Sequence, residues 1–272
     1  MRIDFGRTAD DYSRHRKGFP EDFFQRLSAR ALFSAGQRVL DVGTGTGVMA
    51  RGLARAGCMT FALDISSELI EQSKALDTLA HVSTQYKEGR AEALPFEDAS
   101  FDLLTVAQAF HWFDRPKALA EFLRVLVPGG RVIIACNDWL PLRGNAVELT
   151  EALIDKYNPK QPAPHIRYGH AMGIYPQWAC DLNEAGFLEV ETFSYDYVHE
   201  YTHAGWRGRI RASQGVGASL SEEEIQRFDE EHAKLLEQRF PQEPLIIEHR
   251  IFVATALAPK ASRPTQASLP KS

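Results

Sequence analysis

A glycine-rich turn is the part of the sequence whose residue types and spacing could most directly do chemistry. Glycines stand at positions 43, 45 and 47, directly after the apolar, strand-like residues 39–42. Glycine has no Cβ atom, so a ligand can approach the main chain closely at these positions. The helix predicted at 48–56 points its unbonded N–H groups and the positive end of its dipole at the same gap. This arrangement predicts a site for a nucleoside-bearing cofactor.

An acidic residue at the end of the second predicted strand is placed to bind the sugar of such a cofactor. Asp64 ends the buried run 58–64 and follows the glycines by about 20 residues. A carboxylate can accept two parallel hydrogen bonds from ribose hydroxyls, and both are charge-assisted. The alternative is that Asp64 only caps the helix predicted at 66–76, although Ser66 could cap that helix itself. NAD enzymes hold ribose in the same way, so Asp64 does not by itself identify the cofactor.

The spacing of the glycines separates one class of cofactor from another. A dinucleotide fingerprint, G-x-G-x-x-G, would place its third glycine at position 48, where this chain has Val48. The chain instead reads D-V-G-T-G-T-G from Asp41, which resembles motif I of the class I S-adenosylmethionine (SAM) methyltransferases. SAM has no phosphate but carries a sulfonium cation and an amino-acid tail. Asp41 could help to place the positively charged part through an ordered water or the backbone of the turn.

Two further segments resemble the same family. Residues 89–96 read G-R-A-E-A-L-P-F and are followed by F-D at 101–102, which is similar to the family pattern G-x-A-E-x-L-P-F…F-D. Residues 124–130 read R-V-L-V-P-G-G, which is similar to the family's turn before the fifth strand. On these motifs the chain is identified as a member of the type 11, ubiquinone-biosynthesis-like group, near the small-molecule enzymes that include trans-aconitate methyltransferase. The resemblance is strong over residues 36–137 and looser outside them.

The resemblance implies cofactor contacts from the leader, the glycine turn and the ends of the second, third and fourth strands. These residues are Tyr12, Arg16, Asp41, Gly43, Thr44, Gly45, Asp64, Ile65, Ala91, Glu92, Ala107 and Gln108. Ala91 would give backbone contacts to the adenine edge. Its neighbour Glu92 has an alternative role as a cap for the turn that follows.

The N-terminal leader resembles a segment that folds over the cofactor as a lid in the family. Residues 5–16 follow the pattern F-x-x-x-A-x-x-Y-x-x-x-R, which would put Tyr12 at the methionine end and pair Arg16 with its carboxylate. The alternative is an ordinary solvated cluster of charges. The chain departs from the family at residues 16–20, which read R-K-G-F-P in place of R-P-x-Y-P, at the expected hinge of the lid.

The end of the fourth predicted strand carries the candidate catalytic residues. Residues 107–113 read A-Q-A-F-H-W-F and lack the N-P-P-Y or D-P-P-Y motif, which argues against methylation of amino or amide nitrogens in bases, proteins or DNA. By the resemblance, Gln108 and His111 lie beside the sulfonium methyl. Methyl transfer from a sulfonium is an in-line displacement that mainly needs alignment and exclusion of water. His111 could act as a base for a hydroxyl or protonated nitrogen, or could simply bond a backbone carbonyl and shape the pocket.

Aromatic and basic residues of the second half are candidates for binding the acceptor. With His111 the set comprises Trp112, Trp139, Tyr168, Trp206 and Arg209. Aromatic rings would cover a flat or apolar acceptor, and an arginine could hold an anionic group. The alternative is that Trp206 and Ile210, which share one helix face, are plain core residues. No histidine spacing matches a metal motif, and we expect no metal.

The elements that must position these residues alternate between strand and helix, which predicts an α/β, doubly wound, Rossmann-like sheet. Strands are predicted at 37–42, 58–64, 82–88, 101–107, 130–137, 187–201 and 245–257. Helices are predicted at 21–33, 47–56, 66–76, 115–126, 145–156 and 176–184, with a helical insertion after strand six at 202–241. The family's strand order, 3-2-1-4-5-7-6 with strand seven antiparallel, accommodates them. We expect one methyltransferase domain over 1–258, with a lid at 1–35, a SAM-binding core at 36–137, a substrate-side half at 138–258, and a disordered tail at 259–272.

Composition limits the possible partners. The chain has 272 residues, 44% of them hydrophobic, and a formal net charge of −5 without a long basic run, which argues against a nucleic-acid substrate. No run of apolar residues is long enough to span a membrane. The dispersed residues Cys58, Cys136 and Cys180 are typical of a reducing compartment, so we expect a soluble, cytoplasmic monomer or homodimer.

The prediction is therefore a SAM-dependent enzyme that methylates a small-molecule carboxylate, hydroxyl or nitrogen. A nucleotide-dependent oxidoreductase and a catalytically silent SAM-binding module are the alternatives.

Overall fold

A computed structural model describes residues 18–159 and 171–260. Within them, one sheet contains seven strands: β1 (Arg38–Val42), β2 (Met59–Asp64), β3 (Thr84–Glu88), β4 (Phe101–Ala107), β5 (Leu126–Trp139), β6 (Leu188–Tyr201) and β7 (Leu245–Leu257). Their order is β3-β2-β1-β4-β5-β7-β6. The strands β1 to β5 pair in parallel, and β7 is antiparallel to both β5 and β6. This confirms the predicted fold and strand order.

Helices pack against both faces of the sheet. They are α1 (Glu21–Ala29), α2 (Val48–Arg55), α3 (Ser67–Leu79), α4 (Arg115–Val125), α5 (Ala146–Tyr157), α6 (Pro176–Glu184), α7 (His203–Arg211) and α8 (Glu222–Arg239), and a 3₁₀ turn spans Phe110–Trp112. The helix predicted at 21–33 ends early, because the chain turns at Ala31, whose φ is +52°. The predicted insertion after strand six consists of α7 and α8. In the part of the chain described here, no helix is both long and apolar enough to cross a membrane.

The fifth strand begins earlier than predicted. It starts at Leu126, immediately after α4, and not at residue 130. Phe101 pairs with Leu126 whereas Leu103 pairs with Arg131, so the segment 127–130 forms a bulge in the ladder. The P-G-G turn of the sequence is therefore part of an irregular strand.

The core lies on both faces of the sheet, which explains the near-continuous apolar runs of its central strands. Leu40 and Val42 face the apolar cluster that contains α4 and α6 residues, whereas Val39 faces the cluster that contains α1 and α2 residues. A third cluster joins α5, α7 and α8 to the ends of β6 and β7. The first two clusters fix the ends of the central strands, where the candidate site lies.

Candidate functional site

A cleft opens at the carboxyl ends of β1, β4 and β5. Its empty volume, which is continuous with solvent, is about 540 Å³. The lining residues are Gly18, Phe19, Gly43, Thr44, Gly45, Thr46, Val48, Met49, Ala107, Gln108 and Asn137. The strand order reverses between β1 and β4, and ligands of open α/β sheets bind at such a reversal.

The glycine turn forms one wall of this cleft in a conformation that side chains resist. Gly43, Gly45 and Gly47 have φ values of +69°, +56° and +76°. The N–H groups of Gly43 and Thr44 both donate to the carbonyl of Leu63, at 2.8 and 3.0 Å, which joins the turn to β2. A Cβ at position 43 would lie 2.7 Å from the Cβ of Ala109. Glycine at position 43 therefore also lets the segment after β4 pack against the turn.

Asp41 fixes the turn from inside the sheet. Its side chain is almost completely buried. One carboxylate oxygen accepts a hydrogen bond from Thr44 Oγ1 at 2.6 Å, and the other accepts from Thr105 Oγ1 at 2.8 Å. Burial raises the pKa of Asp41 to about 6, although both hydrogen bonds lower it. The carboxylate connects the turn to β4, so its effect on a ligand is transmitted through the turn.

Asp64 is tied to the same turn from the neighbouring strand. Its Oδ2 accepts from the N–H of Gly45 at 2.7 Å, and its Oδ1 accepts from the N–H of Ser66 at 3.0 Å. Ser66 itself caps α3 by accepting from the N–H of Leu69. Burial raises the pKa of Asp64, and the hydrogen bonds from backbone N–H groups oppose that shift. A carboxylate has about four acceptor positions, so about two positions of Asp64 are left for ribose hydroxyls.

The predicted cofactor residues that follow β2 and β3 differ in exposure. Ile65, the neighbour of Asp64 in the chain, is exposed, whereas Ala91 is buried. Glu92 accepts a hydrogen bond from the N–H of Asp114, the cap residue of α4, at 2.9 Å. This contact joins Glu92 to the start of α4 and not to the turn that follows residue 92, where the sequence analysis placed its alternative role as a cap. Its contact with a cofactor stays a prediction, as do those of Ile65 and Ala91.

Gln108 lies in the cleft with both ends of its amide held by β5. Its Nε2 donates to the carbonyl of Asn137 at 2.6 Å, and Cys136 Sγ donates to its Oε1 at 3.4 Å. The backbone of Gln108 has a φ of +60°, a conformation that costs about 1 kcal/mol or more for a residue other than glycine. His111 lies in the 3₁₀ turn, half-buried, with its ring 4.9 Å from that of the exposed Trp112. The structure thus holds Gln108 rigidly at the cleft and places His111 in the segment that follows.

Not all of the residues of the second half that were predicted to bind the acceptor are exposed in the structure. Trp206 is completely buried in the third core cluster, and its Nε1 donates to Thr150 Oγ1 at 3.1 Å. The expectation that Trp206 lines an acceptor pocket is wrong, because its helix face packs into the core. Trp139 donates through Nε1 to Glu151 at 2.6 Å, and the guanidinium of Arg209 lies 4.7 Å from its ring centre.

The arginines beside Arg209 have structural partners. Arg207 and Arg211 both bind the carboxylate of Asp229 on α8, and these contacts lower the pKa of that carboxyl. Both arginines therefore connect α7 to α8. The contact of Arg209 with an anionic acceptor stays a prediction.

Tyr12, Arg16 and Tyr168 lie outside the residues that the structure describes. The predicted lid at 1–35 is described only from residue 18 onwards. Gly18 and Phe19 line the cleft, and a Cβ at position 18 would lie 2.4 Å from Val48 Cγ1. The described end of the leader therefore packs directly on the start of α2.

Asn137 is a cleft residue that the sequence analysis did not identify. Its Nδ2 lies 2.8 Å from the hydroxyl of Tyr197 and donates to the carbonyl of Gly18 at 3.4 Å. It is the first polar residue after the apolar run 132–136 of β5, as Asp64 is the first polar residue after the apolar run of β2. Applied to the fifth strand, that rule would have found it.

Comparison with known proteins gives matches along most of the chain. A family model described as a methyltransferase domain matches residues 40–134. The malonyl-[acyl-carrier protein] O-methyltransferase of Erwinia billingiae is 40% identical over 132 residues, which cover 48% of this chain and 51% of that protein. The chain thus spans about half the length of this relative. An uncharacterised protein of Mycobacterium tuberculosis is 30% identical over 200 residues, which cover 70% of this chain and 72% of that protein.

A solved structure has the same architecture. A protein of Anaeromyxobacter dehalogenans described as a type II methyltransferase superimposes with a TM-score of 0.67 at 22% identity, covering 90% of this chain and 99% of that one. At this level of identity the likeness shows the fold.

Proposed function

Because this chain belongs to the class I S-adenosylmethionine-dependent methyltransferases, we propose that it transfers a methyl group from SAM to a small-molecule acceptor. The observation that carries the proposal is the position of Asp64. Its buried carboxylate accepts from the N–H groups of Ser66 and of Gly45, which lines the cleft, and a carboxylate can accept further bonds, such as those from ribose hydroxyls.

The start of α2 favours SAM over a dinucleotide. The third glycine of a dinucleotide fingerprint lets the first helix pack closely on the strand beneath the pyrophosphate. Val48 stands at that position, lines the cleft, and packs against Gly18 so closely that a Cβ there would lie 2.4 Å from its Cγ1. The chain thus lacks the glycine that this packing uses. SAM has no pyrophosphate, so its binding does not depend on a glycine at position 48.

Different residues of the site bind the cofactor and align it with the acceptor. SAM supplies an activated methyl group on a sulfonium when it is bound. Asp64 accepts the ribose hydroxyls, Ile65 covers an apolar surface of the base, and the turn at Gly45 supplies backbone groups. Gln108 is held by two contacts to β5 and forms a fixed polar wall at the end of β4. A rigid wall serves an in-line displacement, which depends on alignment and exclusion of water.

The proposed acceptor is a small molecule with a carboxylate, hydroxyl or nitrogen nucleophile. A carboxylate needs no base, whereas a hydroxyl or protonated nitrogen would lose its proton to His111. The relative from Erwinia billingiae is named for O-methylation, which makes oxygen acceptors the first class to test. A cytoplasmic location, expected from the dispersed cysteines, belongs to the same proposal.

An acceptor screen tests the proposed function. The purified chain is incubated with SAM and, separately, with carboxylic acids, phenols and amines, and S-adenosylhomocysteine (SAH) is quantified by mass spectrometry. We expect acceptor-dependent SAH formation that falls strongly in Asp64→Ala and persists in Thr78→Ala, an exposed change on α3 away from the cleft. Oxidation of NADH by a carbonyl substrate would support the oxidoreductase alternative. SAH binding without turnover across the three acceptor classes would support the silent module.

A further inference from the structure

Four polar side chains pack beneath the glycine turn, on the side away from the cleft. They are Arg51 of α2, Ser73 and Asp77 of α3, and Tyr86 of β3, and we call them the turn clamp. Ser73 and Asp77 are buried, and the side chain of Arg51 is only 12% exposed. Polar groups at such depth are costly unless they are paired, so their contacts define their role.

The clamp binds two successive carbonyls of the turn. Ser73 Oγ donates to the carbonyl of Gly45 at 2.9 Å, and Arg51 Nη2 donates to the carbonyl of Thr46 at 2.7 Å. Behind them, Asp77 holds Arg51 in place through an ion pair of 2.9 Å between Nε and Oδ1. Tyr86 donates its hydroxyl to the other oxygen of Asp77 at 2.7 Å. Side chains from α2, α3 and β3 therefore together hold the backbone of Gly45 and Thr46.

The direction of these bonds determines what the turn presents to the cleft. The carbonyl of Gly45 and the N–H of Thr46 belong to one planar trans peptide, in which they point in opposite directions. Because Ser73 draws the carbonyl of Gly45 inward, the N–H of Thr46 is directed toward the cleft, which Thr46 lines. The N–H of Gly45 is likewise fixed, since it donates to Asp64. The clamp thus orients a backbone donor toward an oxygen atom of a bound ligand.

The cost of the clamp argues that its role is orientation and not stability. Replacing a buried ion pair by apolar residues of similar volume is often neutral or stabilising, so Arg51 and Asp77 are poorly explained by the stability of the fold. The residues of the turn clamp also pack tightly against Gly47. A Cβ at Gly47 would lie 2.9 Å from the hydroxyl of Tyr86 and 3.0 Å from both Arg51 Nη2 and Ser73 Oγ.

We propose that Arg51, Ser73, Asp77 and Tyr86 are positioning residues that hold the glycine turn in its ligand-binding conformation. The inference rests on the proposed function, because it takes the ligand of the turn to be SAM or SAH. It assigns these residues an effect on cofactor affinity without any contact with the acceptor.

Ser73→Ala tests the proposal with a change that removes one hydroxyl. Its matched control is Thr78→Ala, which removes a hydroxyl that donates to the carbonyl of Lys74 at 3.0 Å on the exposed side of the same helix. SAH is titrated into the wild type and both variants by calorimetry. We expect the dissociation constant to rise about fivefold to tenfold in Ser73→Ala, from the loss of one net hydrogen bond, and to stay within about twofold in Thr78→Ala. Tyr86→Phe, which frees one oxygen of Asp77, should shift the affinity in the same direction.

Amide hydrogen exchange of the ligand-free chain gives a readout that requires no ligand. The N–H of Gly45, which donates to Asp64 and belongs to the stretch that Ser73 holds, should exchange faster in Ser73→Ala than in Thr78→Ala. Equal SAH affinities and equal exchange in the two variants would overturn the clamp. Failure of the wild type to bind SAH, together with faster exchange in Ser73→Ala, would instead overturn the proposed function and leave the conformational role of the clamp standing.

Discussion

The substitution Asp64→Ala removes a carboxylate that the structure connects both to the glycine turn and to the expected ribose position. On the protein side, the change deletes the acceptors of two hydrogen bonds, from Gly45 at 2.7 Å and from Ser66 at 3.0 Å. On the ligand side, it deletes about two acceptor positions for hydroxyl groups. These two losses affect different quantities, so they can be measured separately.

The loss of ligand affinity should be much larger than the loss of stability. Hydrogen bonds to a charged group contribute about 1.5–3 kcal/mol each, so losing two of them weakens SAH binding by about 3–6 kcal/mol, or roughly 10²- to 10⁴-fold. In the ligand-free Asp64→Ala variant, two backbone N–H donors lose their acceptor. The variant also no longer buries a carboxylate, and it is this burial that raises the pKa of Asp64 in the wild type. We expect a net loss of about 1–2 kcal/mol, which lowers Tm by a few degrees.

Ser66→Ala is the matched control for this comparison. It removes the side-chain cap of α3, which costs about 1 kcal/mol, but leaves the carboxylate of Asp64 and the N–H of residue 66 in place. Calorimetric titration with SAH and thermal unfolding are measured for the wild type and both variants. The account predicts similar losses of Tm but an SAH affinity that is at least about 30-fold weaker in Asp64→Ala than in Ser66→Ala. Equal affinities in the two variants would refute the assignment of Asp64 to the ribose.

Three further predictions concern the turn, a buried histidine and the acceptor. Gly43→Ala should lower the free energy of unfolding by about 2–4 kcal/mol, because a positive φ is combined with a crowded Cβ. Gly144→Ala, at φ +80° with open space around it, should lower it by only about 1–2 kcal/mol. Equal losses in chemical denaturation would contradict the role of crowding at position 43. Burial lowers the pKa of His232 from 6.5 to about 4. Between pH 6.5 and pH 4 the unfolded chain therefore binds a proton that the folded chain does not bind. The free energy of unfolding falls as the pH drops through this range. His232→Gln should reduce this acid-induced loss by about 3 kcal/mol, and an unchanged slope of stability against pH from 6.5 to 4 would argue against a buried neutral imidazole. Arg209→Met should raise the KM of a carboxylate acceptor about tenfold without changing SAH affinity, since its guanidinium lies over Trp139 and neither residue lines the cleft of the glycine turn. An unchanged KM would remove Arg209 from the acceptor site.

Much of the fold could be predicted because its signals are local. The apolar runs that became β1 and β4 are bounded by turn residues, and Ser66 stands where a helix cap is expected. The order of the strands is a property of the whole chain, and it came only from the resemblance to a family. The early start of β5 was missed because P-G-G normally ends an element, whereas here the segment 127–130 bulges within the ladder.

The candidate site was predictable where a residue acts through its position on a strand. Asp64 ends β2 and Asp41 is the last polar residue of β1, and the structure places both carboxylates against the glycine turn. Trp206 was misjudged because helical spacing shows which residues share a face but not what that face packs against. Ser73 and Asp77 were missed for the related reason that they look like solvated residues of α3, and their burial depends on Arg51 and Tyr86 from other elements.

Calorimetric titration of the wild-type chain with SAM, SAH and NADH in parallel tests the central claim most directly. The account predicts binding of SAM and SAH with dissociation constants on the order of micromolar, and no binding of NADH because Val48 replaces the third glycine of a dinucleotide fingerprint. Binding of NADH without binding of SAM or SAH would contradict the account, and the glycine turn would then serve a different chemistry.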